Sequence, residues 1–193
     1  MNDFIYGDYF YPIESRHLEN NLKIVVQSND LIHYWKKCGY IANFISLYNS
    51  NLTDANLSCS EKKVYFALST IFNELLENAI KYSTSKNGNV SIDISNSKNV
   101  IIINIENGTS RYLFENYMEV SKNIFTANKD KISSLFFEKL EKNANEQNNS
   151  GIGLLMLLND YPVKIGTRFQ EKNEGLKVTT RLFFFIDEIV YGN

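Results

Sequence analysis

One long amphipathic segment constrains the fold of this 193-residue chain more than any other feature. From Val64 to Tyr82 apolar residues recur at helical spacing, which predicts a helix with one continuous apolar side. The residues of that pattern are Val64, Phe66, Ala67, Leu68, Ile71, Phe72, Leu75, Leu76 and Ala79. A helix of this kind buries its apolar side against another layer, so the rest of the chain has to supply that layer.

The segments before this helix predict a strand and a second helix. Leu22–Val26 is a short run of β type, and Leu31–Tyr48 carries an approximate helical stripe of apolar residues. Gly39 interrupts the stripe and is expected to bend or break that helix. Ser60, followed by Glu61, is the expected N-cap of the long helix.

The second half of the chain predicts two hairpins separated by helices. Their strands are Val90–Ser95, Val100–Ile105, Val163–Phe169 and Leu176–Ile186, and the helices are Arg111–Phe125, Lys131–Asn143 and Gly151–Asn159. Hairpins imply antiparallel strand pairs, so the expected class is α+β, a two-layer sandwich, and not a doubly wound parallel sheet. Length favours one domain over residues 1–193, with an N-terminal extension at 1–58 and a core at 59–186.

Charge and cysteine content restrict the expected partners and compartment. The formal net charge is −2, from 20 basic and 22 acidic residues, so neither nucleic acid nor an anionic membrane is an expected partner. Cys38 and Cys59 lie in no CxxC pattern, so neither a disulfide framework nor a zinc site is expected. The first residues lack the features of a signal peptide, and the expected location is the cytoplasm.

The polar side of the long helix carries a possible catalytic constellation. Glu74, Asn78 and Lys81 are spaced i, i+4 and i+7, so they form a ladder on the side opposite Leu75 and Leu76. A carboxamide oxygen suits Mg²⁺, a carboxylate can accept a proton, and an ammonium can neutralise phosphate charge. The alternative interpretation is an amphipathic helix whose polar side is only solvated.

Two weaker motifs follow in the chain. Glu106 and Gly108 follow the predicted strand end at Ile105, where a carboxylate could accept the exocyclic amine of adenine; the alternative is an ordinary turn. Gly151 and Gly153 open a predicted helix, where exposed N–H groups favour an anion; the alternative is a flexible helix start.

The order of these motifs resembles that of the GHKL ATPases, which include histidine kinases and anti-sigma serine kinases. The resemblance rests on an N-box at 73–82, a G1-like element at 106–108 and a G2-like element at 151–154. It covers roughly residues 60–186 and implies a Bergerat-type ATP-binding fold, a two-layer α/β sandwich with a mixed sheet. It also implies that residues 110–150 form a lid, and that ATP and Mg²⁺ are the cofactors.

The resemblance also implies roles for individual residues. Asn78 takes the Mg²⁺-ligand position, Glu74 the general-base position, and Lys81 a position close to the phosphates. Glu106 stands where the family has the adenine-binding Asp, with Gly108 beside it. The lid-end and phosphate-loop positions fall on Gly151 and Gly153.

Some positions depart from the family pattern. Ser110 stands where a second G1 glycine is usual, Glu106 replaces Asp, and Gly175-Leu176 replaces a common Gly-Thr. The only histidines, His17 and His33, lie outside any phosphoacceptor pattern, which disfavours a complete sensor kinase. The 34–44 segment is similar to that of small stand-alone, anti-sigma-like bacterial proteins of partner-switching systems.

These observations predict an ATP-binding bacterial regulator of the anti-sigma or partner-switching type. The first hypothesis is a serine/threonine protein kinase whose base is Glu74 and whose partner is a STAS-type antagonist or a sigma-factor-like regulator, with a homodimer possible. The alternative is a protein-interaction module of the same fold with weak or lost nucleotide binding and catalysis. A third interpretation is a structural α+β domain that binds no nucleotide.

Overall fold

The computed structural model describes residues 2–12, 20–28, 36–50, 58–83, 88–97, 99–146, 152–172 and 175–192. Within these residues the chain forms a six-stranded sheet and a layer of helices, which confirms the α+β class. The strands are β1 (Asn2–Gly7), β2 (Asn20–Gln27), β3 (Asn89–Ser97), β4 (Val100–Thr109), β5 (Val163–Lys172) and β6 (Gly175–Phe185). The helices are α1 (Lys36–Asn49), α2 (Cys59–Lys81), α3 (Arg111–Phe125), α4 (Lys129–Glu146), α5 (Gly153–Asp160) and α6 (Ile186–Tyr191).

The sheet has the strand order β1-β5-β6-β4-β3-β2, and every neighbouring pair is antiparallel. The expectation of a mixed sheet is therefore wrong for the described strands. β4 and β5 run in the same direction, but β6 lies between them and pairs with both. The crossover through α3, α4 and α5 consequently returns the chain to a non-adjacent position, and no parallel neighbours result.

The central helix, α2, forms as the apolar periodicity predicts and begins five residues earlier. Ser58 is its N-cap, and it exchanges hydrogen bonds with Glu61 in a capping box. The expected cap, Ser60, is therefore wrong, because Ser60 already lies in the first turn. The buried side of α2 packs on β4 and on helices α1, α5 and α6, and its fully buried residues include Leu68, Ile71, Phe72 and Leu76.

Helix α1 runs through Gly39 without a break, so the expected interruption does not occur within the described residues. A Cβ at Gly39 would meet no atom within 4 Å, which shows that the glycine faces outward. Burial of Cys38, Ala42 and Ile45 against the core offsets the helix-propensity cost of one glycine, about 1 kcal/mol. Both His17 and His33 lie outside the described residues.

Strand β1, at the sheet edge, has no counterpart among the predicted elements. It pairs with β5 over its whole length, from Asn2 opposite Glu171 to Gly7 opposite Gly166. A bidentate contact from Arg168 to Asp3 supports the pairing from the face of the sheet that lies away from the helices, the outer face. Across the described ranges, no helix combines the length and apolarity that a membrane span requires.

Candidate functional site

Helix α2 presents the predicted ladder at the border between its buried side and its exposed side. Glu74 and Asn78 are half-buried and Lys81 is exposed, whereas Leu75, Leu76 and Ala79 are buried. The structure therefore brings together the three N-box side chains that the helical spacing predicted, on one side of a helix anchored in the core.

Gly153, the first residue of α5, lies directly against the carboxylate of Glu74. A Cβ built on Gly153 would be 1.7 Å from Glu74 Oε2 and 2.7 Å from its Cδ, so no other residue fits here without displacing the carboxylate. Gly153 of the G2-like element thus contacts Glu74 of the N-box, although 79 positions separate the two residues in the chain. Gly151, the other glycine of the G2-like element, lies outside the described residues.

The electrostatic setting of this ladder differs from that of a solvated helix face. Burial raises the pKa of the Glu74 carboxyl above its usual range, and the nearby Glu77 carboxylate raises it further. Partial burial lowers the pKa of Lys81, and the ammonium of Lys139 on α4 lowers it further, although much of the Lys81 side chain remains exposed. A carboxylate with raised proton affinity is suited to accept a proton.

The side-chain amide of Asn78 contains a buried nitrogen, Nδ2, without a hydrogen-bond partner among the described residues. An unpaired buried amide group costs roughly 1–3 kcal/mol, so native structures seldom retain one without a ligand, water or function. This amide and the Gly153 cradle are the two observations by which the residues fit a bound polar ligand. In the described part of the chain, no group of three His, Cys, Asp or Glu side chains is arranged to hold a metal ion.

Glu106 is not brought together with Glu74 and Asn78. Strand β4 continues past Ile105 to Thr109, and Glu106 projects from its outer face, where Lys177 Nζ donates to Glu106 Oε1 over 3.0 Å and Thr179 donates to Oε2 over 3.4 Å. The expectation that the strand ends at Ile105 is therefore wrong. The α2 side of the sheet instead receives Asn107, whose Nδ2 donates to the Tyr82 carbonyl oxygen over 3.2 Å.

Gly108 lies within the paired part of β4, opposite Lys177. A Cβ there would meet only the Leu176 carbonyl oxygen at 4.0 Å, an ordinary contact, so local packing does not demand glycine. Ser110, the departure at the next expected glycine, is the N-cap of α3, and its hydroxyl accepts from the Leu113 N–H over 3.4 Å. Ser110, which stands where the family pattern has a glycine, therefore begins helix α3 directly after strand β4.

Helix α3 packs an aromatic cluster against the α2 side of the sheet. Tyr117 stacks on Tyr82 with ring centroids 4.1 Å apart, and its hydroxyl lies 3.2 Å from Thr180 Oγ1. Phe114 and Phe169 complete the packing, in an edge-to-face pair. The first half of the predicted lid is therefore held in the helix layer by buried side chains, and Tyr117 was not singled out from the sequence.

A groove of about 410 Å³ opens between the end of α2 and helices α3, α4 and α5. Lys81, Lys139 and Lys142 line it together with apolar residues that include Leu135 and Leu155. Lys139 and Lys142 were not identified from the sequence, although their i, i+3 spacing on a predicted helix puts them on one side.

Comparisons with known proteins add one finding at the level of the fold. The chain matches no family model and no curated protein. Its fold is similar to that of a chain in the crystal structure of the SiaB–SiaC complex from Pseudomonas aeruginosa, with a TM-score of 0.52 and 13% identity over 83% of this chain and 88% of that chain. At this identity the similarity establishes a shared α+β fold with one chain of a two-protein complex.

Proposed function

We propose that this protein is an ATP-binding regulator of the partner-switching type, which acts on a protein partner as a serine/threonine kinase or as a nucleotide-dependent switch. The observation that carries the proposal is the contact between Gly153 and the Glu74 carboxylate, one helical turn from the unpaired amide of Asn78. Two motifs that are distant in the chain meet there beside a buried amide nitrogen that has no hydrogen-bond partner in the described part of the chain, and unpaired buried polar groups are a feature of binding sites.

Each residue of the ladder has a role in this proposal. Asn78 would hold Mg²⁺ through its side-chain oxygen, and Lys81 would neutralise phosphate charge at the mouth of the 410 Å³ groove. Bound MgATP would supply the transferable phosphoryl group. Glu74, whose pKa is raised by burial, would accept the proton of the partner's serine or threonine hydroxyl. Positioning and charge neutralisation supply most of the catalysis in phosphoryl transfer, so these few groups suffice.

The proposed partner is a small protein of the STAS-type antagonist class or a sigma-factor-like regulator. The support is the fold shared with one chain of the SiaB–SiaC complex, together with the similarity of the 34–44 segment to stand-alone partner-switching proteins.

Titration with a fluorescent ATP analogue and Mg²⁺ tests the nucleotide part of the proposal. Wild-type protein is expected to bind in the micromolar range, and Asn78→Ala is expected to weaken binding at least tenfold. Asn43→Ala is the matched control, because Asn43 is an exposed asparagine on α1 that bonds only Ser69 in the described contacts. Absence of wild-type binding at millimolar analogue overturns the nucleotide proposal.

A second function, a protein-interaction module without nucleotide, is favoured by a different observation. Glu106 projects from the outer face, bonded to Lys177, and so does not complete a base pocket beside Asn78. The α2 side near β4 is filled by the stacked Tyr82 and Tyr117. This function predicts that ATP neither binds nor alters the affinity for a protein partner, and labelled ATP with candidate STAS proteins distinguishes transfer from binding alone.

A further inference from the structure

Helix α1 is apolar on two opposite sides, and only one of them is covered. Cys38, Ala42 and Ile45 are buried in the core. Tyr40, Phe44 and Tyr48, spaced by four residues along the other side, are 70%, 54% and 47% exposed. A surface helix needs one apolar side to pack on its own domain, so the second side requires another explanation.

The exposed apolar side continues onto helix α2. Ser69 donates to Asn43 across the junction of the two helices over 2.8 Å, and Phe66, one turn before Ser69, is 64% exposed. Leu47, one turn after Asn43, is 45% exposed. We call the set Tyr40, Phe44, Leu47, Tyr48 and Phe66 the aromatic face. All five side chains are large, apolar or aromatic, and at least 45% exposed, and a patch of several such side chains commonly marks a protein-binding site.

Among the described residues, the exposed charges beside the aromatic face are mainly positive. One carboxylate of α2 also lies near the start of α1: burial and then the Glu77 carboxylate raise the pKa of the Cys38 thiol, and Glu77 accepts a hydrogen bond from Asn73. Lys36 precedes Tyr40 by one turn of α1, and Lys62 and Lys63 precede Phe66 by one turn of α2; all three are exposed. Helix α1 contains no acidic residue, and Glu61, at the start of α2, is bonded to Ser58 in the capping box. A basic, aromatic surface thus stands on a chain whose net charge is −2.

This charge distribution selects among possible occupants. A second copy of the chain would bring the basic surface of Lys36, Lys62 and Lys63 against itself. In the described part of the chain, the carboxylates near this surface, Glu61 and Glu77, are already hydrogen-bonded to Ser58 and Asn73. Like charges juxtaposed across an interface oppose association, which disfavours a homodimer through this face. A protein segment with carboxylates around its apolar side chains would satisfy both features.

We propose that the aromatic face is a docking surface for an acidic amphipathic helix of a partner protein, with Phe44 as its central anchor. This inference deepens the proposed function by naming a partner-binding surface, and it depends on that function only for the existence of a protein partner. It does not depend on nucleotide, because Phe44 belongs to α1 and the Glu74–Asn78 ladder to the far part of α2.

Cys59 provides the reporter for a test. It is exposed, lies two turns before Phe66 on α2, and the other cysteine, Cys38, is buried, so a fluorophore can be attached to Cys59 alone. The probe is a synthetic helix of about 16 residues with leucines at i, i+3, i+4 and i+7 and glutamates at the flanking positions. Its counterpart has lysine in place of every glutamate.

The expected result is saturable binding of the acidic helix by wild-type protein, weakening as salt rises, and at least tenfold weaker binding by Phe44→Ala. Phe137→Ala is the matched control, since Phe137 is 59% exposed on α4, and its affinity is expected to stay within twofold. Lys62→Glu with Lys63→Glu is expected to weaken the acidic helix and to strengthen the lysine counterpart. Circular dichroism of each variant establishes that it is folded.

Four outcomes overturn the inference. They are no binding of the acidic helix at about 1 mM, equal binding by wild type and Phe44→Ala, concentration-dependent dimers that Phe44→Ala abolishes in sedimentation, and Phe44-dependent binding to phosphatidylglycerol vesicles. Failure of the proposed function is separate. Asn78→Ala is expected to bind the acidic helix like wild type, and Phe44→Ala to bind the ATP analogue like wild type.

Discussion

Replacement of Gly153 by alanine tests whether the N-box and the G2-like element form one site. The new Cβ would lie 1.7 Å from Glu74 Oε2 and 2.7 Å from Cδ, so the carboxylate has to move by more than an ångström. Overpacking of this kind costs about 1–3 kcal/mol. Alanine gains up to about 1 kcal/mol over glycine in a helix, and Gly153 does not require a left-handed backbone. The carboxylate is the far end of a flexible side chain and can turn aside, so the cost lies at the low end of this range and the net expected loss is about 0–1 kcal/mol in the free energy of unfolding.

A double-mutant cycle isolates the contact from other effects of alanine at 153. Urea unfolding at neutral pH is measured for wild type, Gly153→Ala, Glu74→Ala and the double variant. Because Glu74→Ala removes the atoms with which the new Cβ collides, alanine at 153 is expected to cost little in the Glu74→Ala background. The helix-propensity gain of alanine cancels in the cycle, so the coupling free energy is the cost of the clash itself, about 1 kcal/mol.

Additive effects within about 0.3 kcal/mol would refute this reasoning, because they would mean that the new Cβ does not meet the Glu74 carboxylate. A stable Gly153→Ala protein that binds the ATP analogue like wild type would refute it as well.

Three further predictions concern single residues. Glu74→Gln is expected to raise the unfolding midpoint more at about pH 8 than at about pH 4. Burial raises the pKa of the Glu74 carboxyl in the folded protein, so the wild type loses stability as the pH rises from the ordinary pKa of a glutamate through that raised value, and glutamine avoids this loss. An equal gain at both pH values contradicts this prediction. Glu106→Ala is expected to leave affinity for the ATP analogue within twofold, since Glu106 projects from the outer face; lost binding would place it in the pocket. Ser58→Ala is expected to cost about 1 kcal/mol in urea unfolding and Ser60→Ala much less, whereas the reverse order would reassign the cap.

Periodicity predicted the elements that are buried on one side. Helix α2 was found from its apolar spacing alone, because a helix that covers a sheet must repeat apolar residues at every turn. The hairpin of β3 with β4 was predicted from the alternation of Val90–Ser95 and the nearly continuous apolar run Val100–Ile105, and the hairpin of β5 with β6 was predicted as well. The capping residue was misplaced by two positions although the sequence distinguishes the two serines: Glu61 stands three residues after Ser58, as a capping box requires, whereas Lys63 stands three residues after Ser60.

Edge strand β1 could not be predicted in this way, because it is exposed along most of its length and carries no alternation. Main-chain bonds to β5 and the pairing of Asp3 with Arg168, 165 positions away, hold it in place. The choice between mixed and antiparallel sheets is equally non-local. It depends on β6 lying between β4 and β5, which no segment of sequence specifies by itself.

The candidate site was predictable where its residues share one helix. Glu74, Asn78 and Lys81 follow from a single spacing rule, and Gly153 joined them only through the resemblance to a family order of motifs. Lys139 and Tyr117 belong to helices whose approach to α2 depends on tertiary packing.

The placement of Glu106 was nevertheless available from the sequence, once the strand is allowed to continue. Ile101, Ile103 and Ile105 set the buried side of β4, so a period of two assigns Asn107 to the same side and Glu106 to the outer face. When the strand was predicted to end at Ile105, its alternation no longer assigned Glu106 to a side of the sheet, so Glu106 could be given the adenine-binding position. A shift of one residue in register moves a carboxylate to the other side of a sheet. A motif match on a strand therefore indicates a chemical role only after the register of that strand is established.

If this chain binds a nucleotide base, the residue of β4 that faces the α2 side is Asn107, whose amide already donates to the Tyr82 carbonyl oxygen. Adenine recognition would then have to use other groups of the helix layer, whereas the Glu74–Asn78–Gly153 contact is independent of β4 altogether.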